Sequence, residues 1–155
     1  MPSKSHDTPS AFTQFINPEM LYNPQPYGYS HVAVIQQPQK IVHISGQGGE
    51  NRHGQLSALF ELQLQQAFFN LQFALQAAQA QLHDIAVLRI LITDYNAQKH
   101  QQLIQCMQQY WTNQVFPACT LIPVPCLALA DMQIEIEATA YCYDSHSKDK
   151  YEATY

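Results

Sequence analysis

The sequence predicts one two-layer α+β domain of order β-β-α-β-α-β-β, a mixed sheet with two helices on one face. Three observations predict it. Two long segments repeat apolar residues at helical spacing, and one late segment alternates apolar and polar residues strictly. No internal repeat or linker divides the 155 residues, 46% of them apolar, so a single core accounts for the chain. Residues 1–11 read as a disordered polar tail, 12–143 as the domain and 144–155 as a polar C-terminal tail.

Phe12 to Gly28 is an irregular lead-in rich in Pro and Tyr, whose aromatics suggest that it packs on the domain. Tyr29 to Ile35 alternates, and Lys40 to Ser45 is β-branched and apolar. These read as two strands joined by the hairpin loop Gln36-Gln37-Pro38-Gln39. Gly46, Gly48 and Gly49 then let the backbone approach something closely. A phosphate loop is excluded there, because no Gly-Lys-Ser/Thr follows. From Ala58 to Ala80, Leu64, Ala67, Phe68, Leu71, Leu75 and Ala78 make one helical stripe, widened by Phe69 and Phe73. Asp84 to Thr93 is a nearly continuous apolar run and reads as a strand covered on both faces. Ala97 to Trp111 is a second amphipathic helix, with Leu103, Ile104, Met107, Tyr110 and Trp111 inward. Ala118 to Val124 is extended, and Pro123 and Pro125 argue for an edge or an irregular strand. Met132 to Tyr141 alternates cleanly, with Ile134, Ile136, Ala138 and Ala140 on one face and Glu135, Glu137, Thr139 and Tyr141 on the other. The sheet face away from the helices carries enough apolar area to need cover, and a second copy of the chain is the simplest cover.

Composition excludes several classes of function. Charged residues make up 12% of the chain, against roughly 25% in soluble domains generally. Glutamine, 22 residues of it, fills the gap and reads as solvated helix face. The net charge is −5 and the seven Lys and Arg are scattered, so there is no basic stripe for nucleic acid. No apolar run is long enough for a membrane span and the N-terminus has no apolar signal core, which points to a soluble, cytoplasmic protein. The four cysteines and seven histidines show no metal spacing. They read as free buried thiols and as surface or loop histidines, with no metal and no cofactor implied.

The element order and a set of short strings together resemble the Rid family, the YjgF-like proteins also known as L-PSP endoribonuclease-like, whose fold is the YjgF/chorismate-mutase type. The strings are Tyr29-Ser30, Ser45-Gly46-Gln47, Asn70-Leu71, Asp84-Ile85, Thr93-Asp94, Pro117-Ala118 and Ile134-Glu135-Ile136-Glu137-Ala138-Thr139-Ala140. The match runs from about Asn17 to Ala140. The resemblance implies a homotrimer with small-metabolite clefts between subunits. In its enzymes it implies hydrolysis of enamines and imines to 2-keto acids and ammonia. There an arginine after Pro-Ala clamps the substrate carboxylate, a glutamate on the last strand orients water, and a tyrosine lines the cleft.

Carried onto this chain, Tyr29, Glu135, Ser45 and Gly46 are kept, with Glu135 the candidate water-orienting base. Cys119 stands at the arginine position. The family's ligand-side asparagine falls around Gln102, and Gly28 replaces a usual proline. A bidentate guanidinium suits a planar carboxylate, and a thiol does not imitate it. A reactive Cys119 would need a nearby cation, His31 or His43 being the candidates; otherwise it is a small apolar wall. Arg52 and Arg89 are weaker candidates for a substitute clamp, and Arg89 is expected to pair with Glu135 or Glu137. The expected function is therefore a Rid-like trimer binding a small, less acidic metabolite. The alternative is an enamine/imine deaminase with a substitute cation, and a third reading, endoribonuclease, conflicts with the acidic charge.

Overall fold

The computed structural model describes residues 12–143, and the expected tails, 1–11 and 144–155, lie outside the described residues. Its architecture is the predicted α+β type. The principal sheet holds β3 (Lys40–Gly48), β6 (Ile134–Cys142), β4 (Ile85–Thr93) and β5 (Ala118–Val124) in that spatial order. The β3–β6 and β6–β4 pairs are antiparallel and β4–β5 is parallel, so the sheet is mixed. Pro123, which lacks an N–H, lies on β5 at the end of the sheet, where a missing ladder donor is tolerated.

Two expectations at the N-terminal side are corrected. The lead-in contains a strand, β1 (Phe12–Ile16), which pairs antiparallel with β2 (Val32–Gln36) in a separate two-stranded ribbon. Gln36–Gln39 therefore does not close a hairpin. It carries the chain from that ribbon to β3, which pairs with β6 instead. The Tyr143 hydroxyl donates to Phe12 O at 2.7 Å and bonds Thr13 Oγ1 at 3.1 Å, fastening the ribbon to the end of the last strand.

Helices α1 (Phe60–Ala77) and α2 (Ala97–Tyr110) cover one face. Their apolar stripes meet Leu88, Ile90, Ile92, Ile134, Ile136, Ala138 and Ala140, all buried, in one cluster with Leu64, Phe68, Leu71, Leu75, Leu103 and Met107. Tyr110 and Phe68 stack with centroids 4.6 Å apart. Phe69 and Phe73, read as part of the stripe, are instead exposed, because they fall on the solvent side of α1. The other face of the sheet is open in the single chain. Val87 and Arg89 of β4 are exposed there, so this strand is covered on one face only. Arg89 lies opposite Glu137 in register and pairs with it at 3.1 Å, and His43 Nε2 approaches the same carboxylate at 3.4 Å.

One glutamine departs from the solvated pattern. Gln63 is fully buried; its amide donates to Ser57 O and Asp131 O, and its oxygen accepts from Gln133 N at 2.8 Å. Buried polar groups persist when each valence is met, as here. Lys40 donates to Ala78 O and Gln79 O at 2.7 and 2.8 Å, placing a cation at the negative end of α1. The glycine run makes the close approach that its composition suggests: a Cβ on Gly49 would lie 2.5 Å from the Cα of Gln63.

Candidate functional site

Three segments converge beside the first residues of β5. The chain enters through a 3-10 turn, Gln25–Tyr27, ended by Gly28 in the left-handed region (φ +74°). A Cβ at Gly28 would lie 2.8 Å from Met107 Cβ, so the turn presses directly on α2. Proline, fixed near φ −65°, cannot take this conformation, so the entrance is built differently from one with proline here. Ser30 then locks the segment to the strand. Its N–H donates to Pro117 O at 2.9 Å and its buried hydroxyl to Phe116 O at 2.8 Å, beside a parallel bridge to Ala118. Tyr29 and Cys119 are thereby held next to each other.

The result is a cleft of about 580 Å³. Ile90, Leu121, Leu103 and Met107 form its floor, Cys119 and Thr120 one side, and Tyr22, Tyr27, Gly28, Tyr29 and His100 the other. Tyr22 packs edge-on against Tyr27 and His31, and Tyr29 edge-on against His31. The Tyr22 and Tyr29 hydroxyls bond to each other. His100 stacks on Tyr27 at 6.4 Å and 14°. Burial, and then the bond to Tyr22, push the Tyr29 hydroxyl up to about 12. Burial likewise pushes the Cys119 thiol up to about 12, so at neutral pH it carries its proton. No Lys, Arg, Asp or Glu lines this cleft.

The sequence candidates divide between two places. Tyr29 and Cys119 are in the cleft. Cys119 is level with Leu88 in the β4–β5 register and packs against the core on the helix side of the sheet. Glu135 alternates with the buried residues of β6 and faces the opposite, open side, so within one chain these two side chains do not converge. Glu135 lies over Gly46, where a Cβ would collide with its carboxylate. Ser45 and Gly46 occupy the irregularity between Ile44 and Gln47 where β3 meets β6. These three form a second cluster.

Gln102 is in neither. It sits in the groove between the helices with Gln65, Gln105 and Gln109. His100, two residues earlier and thus about 200° around the helix, is the α2 polar group in the cleft. Arg89 is on the open face with Glu137, and Arg52 is in the exposed turn after β3. Sequence reasoning passed over Tyr22, Tyr27 and His100; the only signal was the cluster of aromatics in the lead-in. Among the described residues, no group of three or more His, Cys, Asp or Glu is arranged to hold a metal, and no helix is long and apolar enough to cross a membrane.

This fold has known counterparts. The family model described as Endoribonuclease L-PSP matches residues 23–142, and the chain belongs to that family, the Rid proteins. Among solved structures, it is similar to YyfB from Yersinia pestis, a protein of unknown function of the conserved Rid family. The two are 31% identical, the match covers 83% of this chain and 98% of that one, and the TM-score is 0.78. YyfA of the same organism is 27% identical over 73% of this chain and 86% of that one, with TM-score 0.61. The YjgF gene product of E. coli, 24% identical over 70% and 84%, with TM-score 0.57, shares the fold. No curated protein matches the chain.

Proposed function

We propose that this Rid-family protein binds a small metabolite in clefts between the subunits of a homotrimer and has left the carboxylate-gripping deaminase chemistry. The observation that carries the reading is the missing cation. Cys119 stands where the resemblance puts the arginine, and no Lys or Arg lines the cleft around it. The four described cations are committed or placed elsewhere. Lys40 caps α1, Lys99 donates to Thr93 O at 2.8 Å, Arg89 pairs with Glu137, and Arg52 is in an exposed turn. A carboxylate entering would lose its hydration for hydrogen bonds to neutral groups at most, forfeiting a charge-assisted pair of about 1.5–3 kcal/mol. The two clusters support a site shared between chains. Tyr29 and Cys119 face the helix side, Glu135 the open side, and a ligand touching both sets needs two subunits.

The deaminase reading would keep Glu135 as the water-orienting base and needs a substitute cation, for which Arg52 and Arg89 are the candidates. A ribonuclease reading lacks a basic surface, the net charge being −5. Imines generated in situ from an amino acid test the choice. The wild-type chain is expected to release ammonia at the rate of the buffer control, and a rate clearly above it would restore the deaminase reading. Cys119→Arg should create binding of 2-keto acids that the wild type lacks.

A further inference from the structure

The composition of the cleft also points to the kind of ligand. We infer that it takes an uncharged, planar aromatic or heteroaromatic molecule carrying one hydrogen-bonding group, the ring lying among the tyrosines and the polar group meeting the Tyr22–Tyr29 hydroxyl pair. The inference rests on reading the cleft beside Cys119 as the ligand site.

Four observations carry it. The floor, Ile90, Leu103, Met107 and Leu121, is entirely apolar, with Ile90 and Met107 buried in the core. The part of the lining that one chain supplies holds no Lys, Arg, Asp or Glu, its one imidazole being His100, and both Cys119 and Tyr29 keep their protons through neutral pH. Among the residues that one chain sets around this floor, an anion is desolvated without a Lys or Arg and a cation without a carboxylate, and either cost exceeds what hydrogen bonds to neutral groups return. The aromatic side is both exposed and fixed. Tyr22 and Tyr27 are 62% and 49% exposed, yet they are braced edge-on against each other, and His31 Nε2 lies 2.8 Å from Tyr22 O. Such surfaces favour a ring placed edge-on or offset-stacked, a contact of about 0.5–1.5 kcal/mol beyond the area buried. Finally, the two hydroxyls satisfy each other in only one direction. The pair keeps one O–H and several lone pairs for a ligand amide or hydroxyl. The tyrosines alone would also suit a cation over their faces, but the uncharged floor beneath them opposes it.

Benzamide, benzoate and benzamidine are nearly isosteric flat rings that differ in charge, and they separate these cases. Each is titrated into the full-length wild-type chain at pH 8, with backbone amide shifts as the readout. Benzamide is expected to bind at least about 10-fold tighter than either ion, with shifts centred on Gly28, Leu103 and Thr120. The factor follows from one unpaired charge being worth no less than about 1.4 kcal/mol. If benzoate or benzamidine binds as tightly as benzamide at those residues, this inference fails while the cleft remains the ligand site. If none of the three shifts them, the reading of the cleft itself falls, and the inference with it. Cys119→Arg should move the benzamide-to-benzoate preference at least about 10-fold toward benzoate. Should that variant not fold, the wild-type titration decides alone.

Discussion

At the scale of single residues, an apolar-looking sequence hides where polarity is used. Gln63 was indistinguishable from its neighbours in a Gln-rich helix, since composition cannot say which of many identical side chains faces inward. Of its three hydrogen bonds, the two to Asp131 and Gln133 come from chain about 70 residues away, and the third is to Ser57 just before the helix. Cys119 was legible as an anomaly of position, but its state was not, because a thiol's proton affinity depends on the burial that tertiary packing creates. Burial pushes both Cys106 and Cys119 up to about 12, from an ordinary 9. In the folded chain these thiols stay protonated between those values, whereas in the unfolded chain they ionise. The unfolded state thus binds fewer protons over that range, and stability falls as pH rises through it. Urea midpoints are therefore expected to stay level from pH 7 to 8 and to drop from pH 9 upward. A Cys106→Ala/Cys119→Ala double variant should show a shallower drop, and equal slopes in the two proteins would show that the thiols do not contribute.

Elements were legible to the extent that their periodicity was strong. The last strand alternates over nine residues, and structure and sequence agree on it to within two positions at each end; both helices agree to within three. The strand β1 was missed because five residues, Phe12-Thr13-Gln14-Phe15-Ile16, give little period, and its partner β2 lies sixteen residues further on. The same limit hid the cleft: His100, Tyr22 and Tyr29 come together only through the turn at Gly28 and the Ser30 bonds. Where β3 meets α1, the fit depends on a missing side chain. Gly49→Ala would drive a methyl into the helix backbone at Gln63, and overpacking of this kind costs about 1–3 kcal/mol. Gly54→Ala is the comparison. Its surroundings are open, so it bears only the strain of φ +76°, about 1 kcal/mol. Chemical denaturation of the two variants should rank Gly49→Ala as the more damaging, and the reverse order would remove the close-approach account.

At the scale of the molecule, the open sheet face calls for a partner. Ile41 is 61% and Val87 38% exposed around the Arg89–Glu137–His43 cluster, a rim of charge about apolar surface. On the proposed assembly, sedimentation equilibrium gives three times the 17.6 kDa chain mass at micromolar concentration. Arg89→Glu, which sets two carboxylates side by side on that face, is expected to shift the population toward smaller species. A wild-type monomer would undo the shared-cleft reading. The separation of Cys119 and Glu135 onto opposite faces then has a genetic consequence. In the proposed trimer each subunit would lend one half-site to one neighbour and the other half-site to a second. Two alleles, one damaged only at Cys119 and one only at Glu135, would each fill a homogeneous trimer with broken sites. Expressed together in one cell, they would build mixed trimers in which some junctions join two undamaged halves, and the pair would complement where neither allele suffices.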